Sequence, residues 1–154
     1  MESDAPPRVI EIQEGEFKGW RRFDTRETFD SLIGPFYFRR GDDGHFRCAF
    51  RAEQKHMNAG GRMHGGVLMT FADISLFALA YEEMEGRRGV TVQLDSTFLD
   101  GAHVGDLLVA TGDVTRAGGS LVFVRGQITC AERLLFTFSG VIKKMKPRTP
   151  PAPQ

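Results

Sequence analysis

The stretch HMNAGGRMHGGVLMTFADISLFALAYEE, residues 56–83, contains an almost wholly apolar run that decides how the rest of the chain must fold. From residue 66 to about residue 83 this run is rich in Leu, Met, Ala and Phe and is too long for a strand, which predicts a long helix. Apolar side chains point nearly all round that helix, so we expect other elements to enclose it on most sides. Asp73 is the one carboxylate in the middle of the run.

The segments around this helix carry short-helix and strand patterns. Asp24 and Glu27 resemble a capping pair before a short helix that stops at Gly34-Pro35. A GDDG turn joins two strands as a hairpin. Four β-rich segments follow the long helix, and the turns between them are short enough to make these segments successive antiparallel neighbours. The predicted strands are residues 36–39, 46–50, 90–99, 107–116, 121–130 and 134–144. An antiparallel sheet curled around one buried helix is an α+β arrangement.

Length and composition allow one compact domain, which we place at residues 21–146, between a polar N-terminal extension (1–20) and a Pro-rich C-terminal tail (147–154). Lys plus Arg (20) equal Asp plus Glu (20), so no overall basic field favours nucleic acid or an anionic membrane. The start lacks the apolar core of a secretory signal, and Asp73 interrupts the best candidate for a membrane span. We therefore expect a cytoplasmic protein without nucleic-acid or membrane partners.

His64-Gly65-Gly66 stands directly before the long helix. The first N–H groups of a helix have no internal partner and lie at its positive end, and glycines allow a ligand oxygen to approach them. One interpretation is an oxyanion or anion site. The other is that the two glycines only permit a tight turn into the helix, and the local pattern favours neither.

Asp73 is the second chemical feature of the run. A carboxylate in apolar surroundings is costly unless it is paired or reaches a cleft, so the alternatives are a structural Asp bonded to backbone, Ser75 or a strand, and a general base or nucleophile. Gly65 and Asp73 lie ~12 Å apart along the helix axis, too far to act on one small group within one subunit. If both are catalytic, two subunits must share the site across a two-fold axis.

Other candidate residues are weaker on local evidence. Asn58, in the Gly-rich loop before His64, is either a side-chain donor to the same oxygen or a turn residue. The histidines at 45, 56 and 103 lack metal-ligand spacing, so no metal site is expected. Cys48 and Cys130 are read as reduced thiols in strands.

Residues 58–73, NAGGRMHGGVLMTFAD, resemble the signature of hotdog-fold acyl-CoA thioesterases of the phenylacetic-acid-degradation type, the PaaI-like branch. The signature has Asn, then His-Gly-Gly six residues later, then Asp nine residues after the His. The likeness continues through GVTVQLDSTFLDGAHVGDLLVATGDVTRAGGSLVFVRGQI, residues 89–128, and covers roughly residues 36–144.

The resemblance implies a hotdog fold, an antiparallel curved sheet wrapped around a long central helix, and a role for each signature residue. Gly65 would donate its N–H to the thioester carbonyl, with help from Asn58. Asp73 of the facing subunit would be the base or the nucleophile, and Thr91 would orient that carboxylate or the water. His64 and Gly66 would be structural residues of the substrate loop.

The resemblance also implies partners and limits. The substrate would be an acyl-CoA or aryl-acyl-CoA, no cofactor beyond the CoA thioester would be needed, and the chain would form a homodimer or a dimer of dimers. By analogy with the family, the turn formed by Arg116, Gly118, Gly119 and Ser120 would contact the CoA phosphates. The alternatives are a non-catalytic acyl-CoA-binding hotdog protein and a hotdog dehydratase, whose His-Phe-Pro-Gly motif is absent here.

Overall fold

The computed structural model describes residues 7–146, so the expected Pro-rich tail at 147–154 lies outside the described residues. Its elements alternate as the sequence patterns predict, with one long helix between a hairpin and four long strands. The bounds are β1 (Val9–Glu11), β2 (Arg21–Phe23), α1 (Phe29–Ile33), β3 (Tyr37–Arg40), β4 (Phe46–Arg51), a 3-10 turn (Gln54–His56), α2 (Gly65–Leu79), β5 (Gly89–Phe98), β6 (Leu107–Ala117), β7 (Leu121–Cys130) and β8 (Arg133–Lys144).

The strands form one antiparallel sheet in the order β1-β2-β3-β4-β6-β7-β8-β5. The sheet curves around α2, whose Phe71 and Leu76 are fully buried. Phe71 packs on two aromatic rings from the hairpin side, Phe50 with ring centroids 4.7 Å apart and Phe36 at 5.5 Å. The predicted α+β architecture, one long helix wrapped by a curved antiparallel sheet, is confirmed.

The predicted neighbour relations of the last four strands are only partly right. β6, β7 and β8 are successive antiparallel neighbours, but β5 pairs with β8 and β6 pairs with β4. The short turns 118–120 and 131–132 force hairpins, whereas the longer connection at 99–106 lets the chain cross from one edge strand into the middle of the sheet. β5 is therefore an edge strand.

The N-terminal region adds two short strands that the sequence pattern did not reveal. β1 pairs with β2 from Val9↔Phe23 to Glu11↔Arg21, and β2 meets β3 at Arg21↔Phe38. Part of the expected polar extension at 1–20 thus lies against the sheet. Between these strands Phe17 is buried and stacks on Tyr37 with ring centroids 4.1 Å apart.

The short helix α1 starts later than expected, and the predicted capping pair is wrong. Thr28 is the N-cap residue and pairs reciprocally with Ser31. Asp24 instead accepts hydrogen bonds from Arg26, at 2.7 Å for the closest, so its carboxylate is engaged before the helix begins. α1 remains short, and it leads the chain back to β3 along the open side of α2.

α2 is not enclosed on every side. It begins at Gly65, and positive φ angles at Glu85 (53°) and Gly86 (70°) mark the turn that follows it. Ala72, Leu76 and Ala78 face the core with no exposed surface. Asp73 and Phe77 are only partly buried, which leaves one open stripe along the helix.

Candidate active site

Asp73 and Thr91 meet between α2 and β5. The Thr91 hydroxyl Oγ1 donates to Asp73 Oδ1 at 2.5 Å, and both residues are partly buried. A hydroxyl that holds one carboxylate oxygen fixes the rotamer and leaves Oδ2 for another proton donor. The structure therefore brings together the two residues that the resemblance placed side by side.

A β-bulge in β5 allows this contact. Thr91 pairs with Ile142 and Gln93 pairs with Val141, so Val92 is an extra residue without a partner of its own. Before the bulge the less exposed positions are 89 and 91, and after it they are 94 and 96. Because side chains alternate along a strand, a regular ladder with the same sequence would turn Thr91 to the other face.

Asp73 lines a cleft of about 650 Å³ that runs along the open stripe of α2, here called the Asp73 cleft. Its walls combine apolar and aromatic side chains with charged ones, and Asp24 and Asp30 contribute carboxyl groups besides that of Asp73. Burial raises the pKa of Asp30, and the nearby Asp73 raises it further. Side chains that line the cleft include Phe23, Asp30, Asp73, Phe77, Tyr81 and Met84. The cleft offers an apolar group a site next to the Asp73 carboxylate.

The His64-Gly65-Gly66 turn forms the start of α2. His64 is the N-cap residue, and its Nδ1 accepts the Gly66 N–H at 2.9 Å. Within residues 7–146, no group accepts the Gly65 N–H. His64 thus accepts the Gly66 N–H with its ring and the Val67 N–H with its carbonyl, and the Gly65 N–H is left as the donor at the helix end.

Asn58 lies on the exposed loop before this turn. Its Oδ1 accepts the Gly60 N–H at 2.8 Å, and its backbone N–H donates to the Arg62 carbonyl at 2.7 Å. The loop thus engages the amide oxygen, which leaves the Nδ2 group as the end that can donate elsewhere. Within the chain Asn58 is a turn residue of the loop that precedes His64.

His56, which sequence reasoning considered only as a metal ligand, anchors this loop. The ring is almost fully buried, its Nδ1 accepts the Glu53 N–H at 2.8 Å, and its Nε2 lies 2.7 Å from the Ile33 carbonyl oxygen. Its own carbonyl accepts the His64 N–H at 2.8 Å. A His two residues before Asn58 was visible in the sequence, but nothing in its spacing indicated burial.

The donor turn and the carboxylate are separate within one chain. α2 and β5 run antiparallel: a Cβ on Gly65 would lie 3.0 Å from Phe98, Ser96 Oγ donates to Met69 Sδ at 3.0 Å, and Thr91 reaches Asp73. Gly65 therefore lies beside the C-terminal end of β5, and Asp73 lies beside its N-terminal end.

The turn expected to contact phosphates lines a surface depression other than the Asp73 cleft. Its carbonyls are occupied, since Gly119 O accepts from Arg87 at 2.9 Å and Ser120 O accepts the Lys144 N–H at 2.7 Å. Glu82, Glu83 and Glu85 line the same surface depression as Gly118 and Gly119, while Arg116 lies on the adjoining strand β6. Lys144 also lines this depression and pairs with Glu85 at 3.1 Å, and Glu82 pairs with Arg40 at 2.8 Å.

Other chemistry finds no support in the described chain. Residues 7–146 contain no cluster of three His, Cys, Asp or Glu side chains that could hold a metal ion. Burial raises the pKa of the Cys48 thiol to about 12, so it is not a reactive thiolate. No helix within residues 7–146 is long and apolar enough to cross a membrane.

Comparison with known proteins gives a consistent result. The family model described as "Thioesterase superfamily" matches residues 60–137, about half of the chain. A Pseudomonas aeruginosa protein with the provisional name of an esterase is 37% identical over 111 residues, 71% of this chain and 83% of its own. Human acyl-coenzyme A thioesterase 13 is 32% identical over 103 residues, 66% of this chain and 73% of its own. The PaaI protein of the E. coli phenylacetic acid degradation operon has a similar fold, with a TM-score of 0.66 and 22% identity over 79% of this chain and 87% of its own.

Proposed function

The chain belongs to the thioesterase superfamily, and from this membership we propose that it hydrolyses an acyl-CoA or aryl-acyl-CoA to the free acid and coenzyme A. Its fold is the hotdog fold of PaaI-like thioesterases. The observation that carries the proposal is the 2.5 Å contact between Thr91 and Asp73 in the Asp73 cleft. CoA thioester is the substrate, and the proposed reaction needs no further cofactor.

The proposed site is shared by two subunits. β5 is an edge strand with exposed apolar side chains, among them Val90, Val92 and Phe98, and such an edge is suited to pair with another strand. If β5 pairs antiparallel with its own copy about an axis near its middle, the partner subunit's Phe98 stands opposite Thr91. The partner subunit's Gly65, which lies against Phe98, then approaches Asp73.

This arrangement supports the chemistry that neither half performs alone. The Gly65 N–H of one subunit donates to the thioester carbonyl and stabilises the oxyanion that forms there, with Asn58 Nδ2 as a further donor. Asp73 of the other subunit takes a proton from water as the water oxygen bonds to the carbonyl carbon. The tetrahedral intermediate then breaks its C–S bond, and the thiolate takes the proton from Asp73.

Asp73 as the attacking nucleophile is the second route that the geometry permits, because Thr91 leaves Oδ2 free of the Oδ1 contact. In that route Oδ2 bonds to the carbonyl carbon, the thiolate leaves, and water hydrolyses the resulting anhydride. Single-turnover hydrolysis in ¹⁸O-labelled water tests for the nucleophilic route. Label in the Asp73 carboxylate identifies Asp73 as the nucleophile, because only an anhydride exposes the aspartyl carbon to water. Label in the product acid alone shows that water attacks the acyl carbon, either in the thioester or in the anhydride.

The proposal is tested by free-thiol release from a panel of acyl-CoA substrates. Asp73→Asn is expected to lower kcat at least ~100-fold while the fold is retained, the loss typical of removing a positioned base. Asp113→Asn is the matched control, because Asp113 is an exposed carboxylate on β6 whose nearest cation is Arg125 at 3.9 Å. Near wild-type hydrolysis by Asp73→Asn contradicts the mechanism. No hydrolysis of any thioester by the wild type favours acyl-CoA binding without catalysis.

Solution mass tests the shared site separately. A dimer, or a dimer of dimers, is expected at the concentrations used for the assay. A monomer that hydrolyses acyl-CoA at full rate contradicts a site built from two subunits.

A further inference from the structure

Asp30 is a second carboxyl group in the Asp73 cleft, and its role in catalysis is unassigned. It lies in the first turn of α1, is partly buried, and lines the cleft together with Asp73 and Ile74. Within residues 7–146, no donor forms a hydrogen bond with its carboxylate. A partly buried carboxylate without a hydrogen-bond donor interacts electrostatically with a group bound in the cleft.

Asp24 lines the same cleft and provides a contrast. Its carboxylate accepts three hydrogen bonds from Arg26, the closest at 2.7 Å, and this pair lowers its pKa. The negative charge of Asp24 is therefore balanced by a neighbour, whereas the charge of Asp30 is not.

The surroundings of Asp30 raise its pKa, whereas those of Asp24 lower the pKa of that carboxyl. Burial raises its pKa and Asp73 adds to the effect, while no arginine of the cleft lowers it. Arg8, Arg87 and Arg88 also line the cleft, but Arg87 directs its donors to the carbonyls of Gly119 and Met145. A further negative charge placed near Asp30 would meet two carboxylates at the end of the cleft where the thioester reacts.

We propose that Asp30 is a specificity-determining residue that selects uncharged acyl groups and rejects short acyl groups with a terminal carboxylate. This inference rests on the proposed thioesterase function and on the acyl group occupying the Asp73 cleft. An uncharged chain gains contact with the aromatic walls formed by Phe23 and Phe77. A short dicarboxylic acyl group places its terminal charge beside Asp30 and Asp73, and it is repelled.

The discrimination is expected to fall with chain length. Gly86, Arg87 and Arg88 line the cleft beyond the end of α2, and six helical residues separate Asp73 from Leu79, a distance of about 9 Å along the axis. The terminal carboxylate of a longer acyl group therefore lies away from Asp30 and nearer to cationic side chains. Short anionic groups are the ones that Asp30 excludes.

The test compares valeryl-CoA with glutaryl-CoA, which have equal numbers of acyl carbons and differ by the terminal carboxylate. For the wild type we expect kcat/KM to favour valeryl-CoA. Asp30→Asn is expected to reduce that preference roughly tenfold, the effect of removing one unit charge a few ångströms away in a partly buried cleft. Asp24→Asn, the matched control on the same cleft, is expected to keep the wild-type preference because Arg26 already balances Asp24.

Three results would overturn the inference: an equal preference in Asp30→Asn and wild type, an equal loss in Asp24→Asn, or a wild type that hydrolyses both substrates at similar kcat/KM. Thermal unfolding of each variant verifies that the fold is intact. Failure of the proposed function gives a different result, since the wild type then hydrolyses neither these two substrates nor any other acyl-CoA of the panel.

Discussion

Gly65→Pro isolates the backbone donor proposed for the thioester carbonyl. Gly65 is the first residue of α2, where proline is tolerated because the N–H it removes makes no bond within the helix. His64 has φ −67° and ψ 133°, the extended conformation favoured before a proline. The substitution should therefore remove one donor and leave α2 in place.

The expected loss follows from the number of donors removed. One oxyanion donor contributes roughly 10²–10³ to kcat, so Gly65→Pro should lower kcat by about that factor. Gly65→Ala is the matched control because it adds a Cβ and keeps the N–H. That Cβ would lie 3.0 Å from Phe98 Cε1, the far end of a side chain that needs to move by only a few tenths of an ångström, so the Ala variant should stay within about fivefold of wild type.

The assay is free-thiol release under saturating acyl-CoA, with thermal unfolding and solution mass measured for both variants. The two variants should have similar stability and mass and differ in kcat. A Pro variant whose kcat matches that of the Ala variant would refute the assignment of the Gly65 N–H as a donor.

Three further predictions concern the shared site, Asp30 and His56. Subunits that carry Gly65→Pro and subunits that carry Asp73→Asn, each inactive alone, should regain about a quarter of wild-type activity when the two are unfolded, mixed and refolded together. Half of the dimers are then mixed, and each mixed dimer has one intact site of its two. No recovery in dimers shown to be mixed would contradict a shared site. Because the pKa of the Asp30 carboxyl is raised in the folded chain, the folded chain binds the carboxyl proton more tightly than the unfolded chain does. The stability that this proton contributes is complete below the unfolded-state pKa and is lost as pH rises through the folded-state pKa. Asp30→Asn should thus raise Tm relative to wild type at pH 7, with a gain that shrinks towards pH 4, and a gain independent of pH would show another cause. His56→Ala should lower the free energy of unfolding by at least about 2 kcal/mol in urea titrations, because it removes a buried ring and leaves the Glu53 N–H and the Ile33 carbonyl without their partner in part-buried contacts. An unchanged midpoint would show that the ring is not the anchor of the loop.

The sequence predicts the elements of this fold well because their signals are local. The long apolar run predicts α2, and strand patterns bounded by turns predict β3 to β8 to within a few residues. The position of β5 at the sheet edge is different, because it depends on which way the 99–106 connection crosses the sheet. Local patterns contain no information about that crossing.

In the candidate site, too, some features follow from local sequence and others depend on the path of the chain. The separation of Gly65 and Asp73 on one helix is a matter of residue count, and helix geometry alone predicts that two subunits share the site if both residues are catalytic. Thr91 beside Asp73 followed from the family resemblance. Asp30 was missed, since one acidic residue in a polar segment with a short helix resembles any surface carboxylate until the path of α1 past the cleft is known.

The bulge at Val92 bears on how the site is compared between chains of different length. A chain without Val92 would form an uninterrupted ladder in which Thr91 still faces Asp73, because the unpartnered residue is the one removed. That removal leaves the number of residues between Asp73 and Thr91 unchanged, and it shortens only the distance in sequence from Thr91 to the later inward-facing positions 94 and 96. In an alignment, a one-residue gap at position 92 is therefore compatible with the same contact between carboxylate and hydroxyl, at the same spacing along the chain.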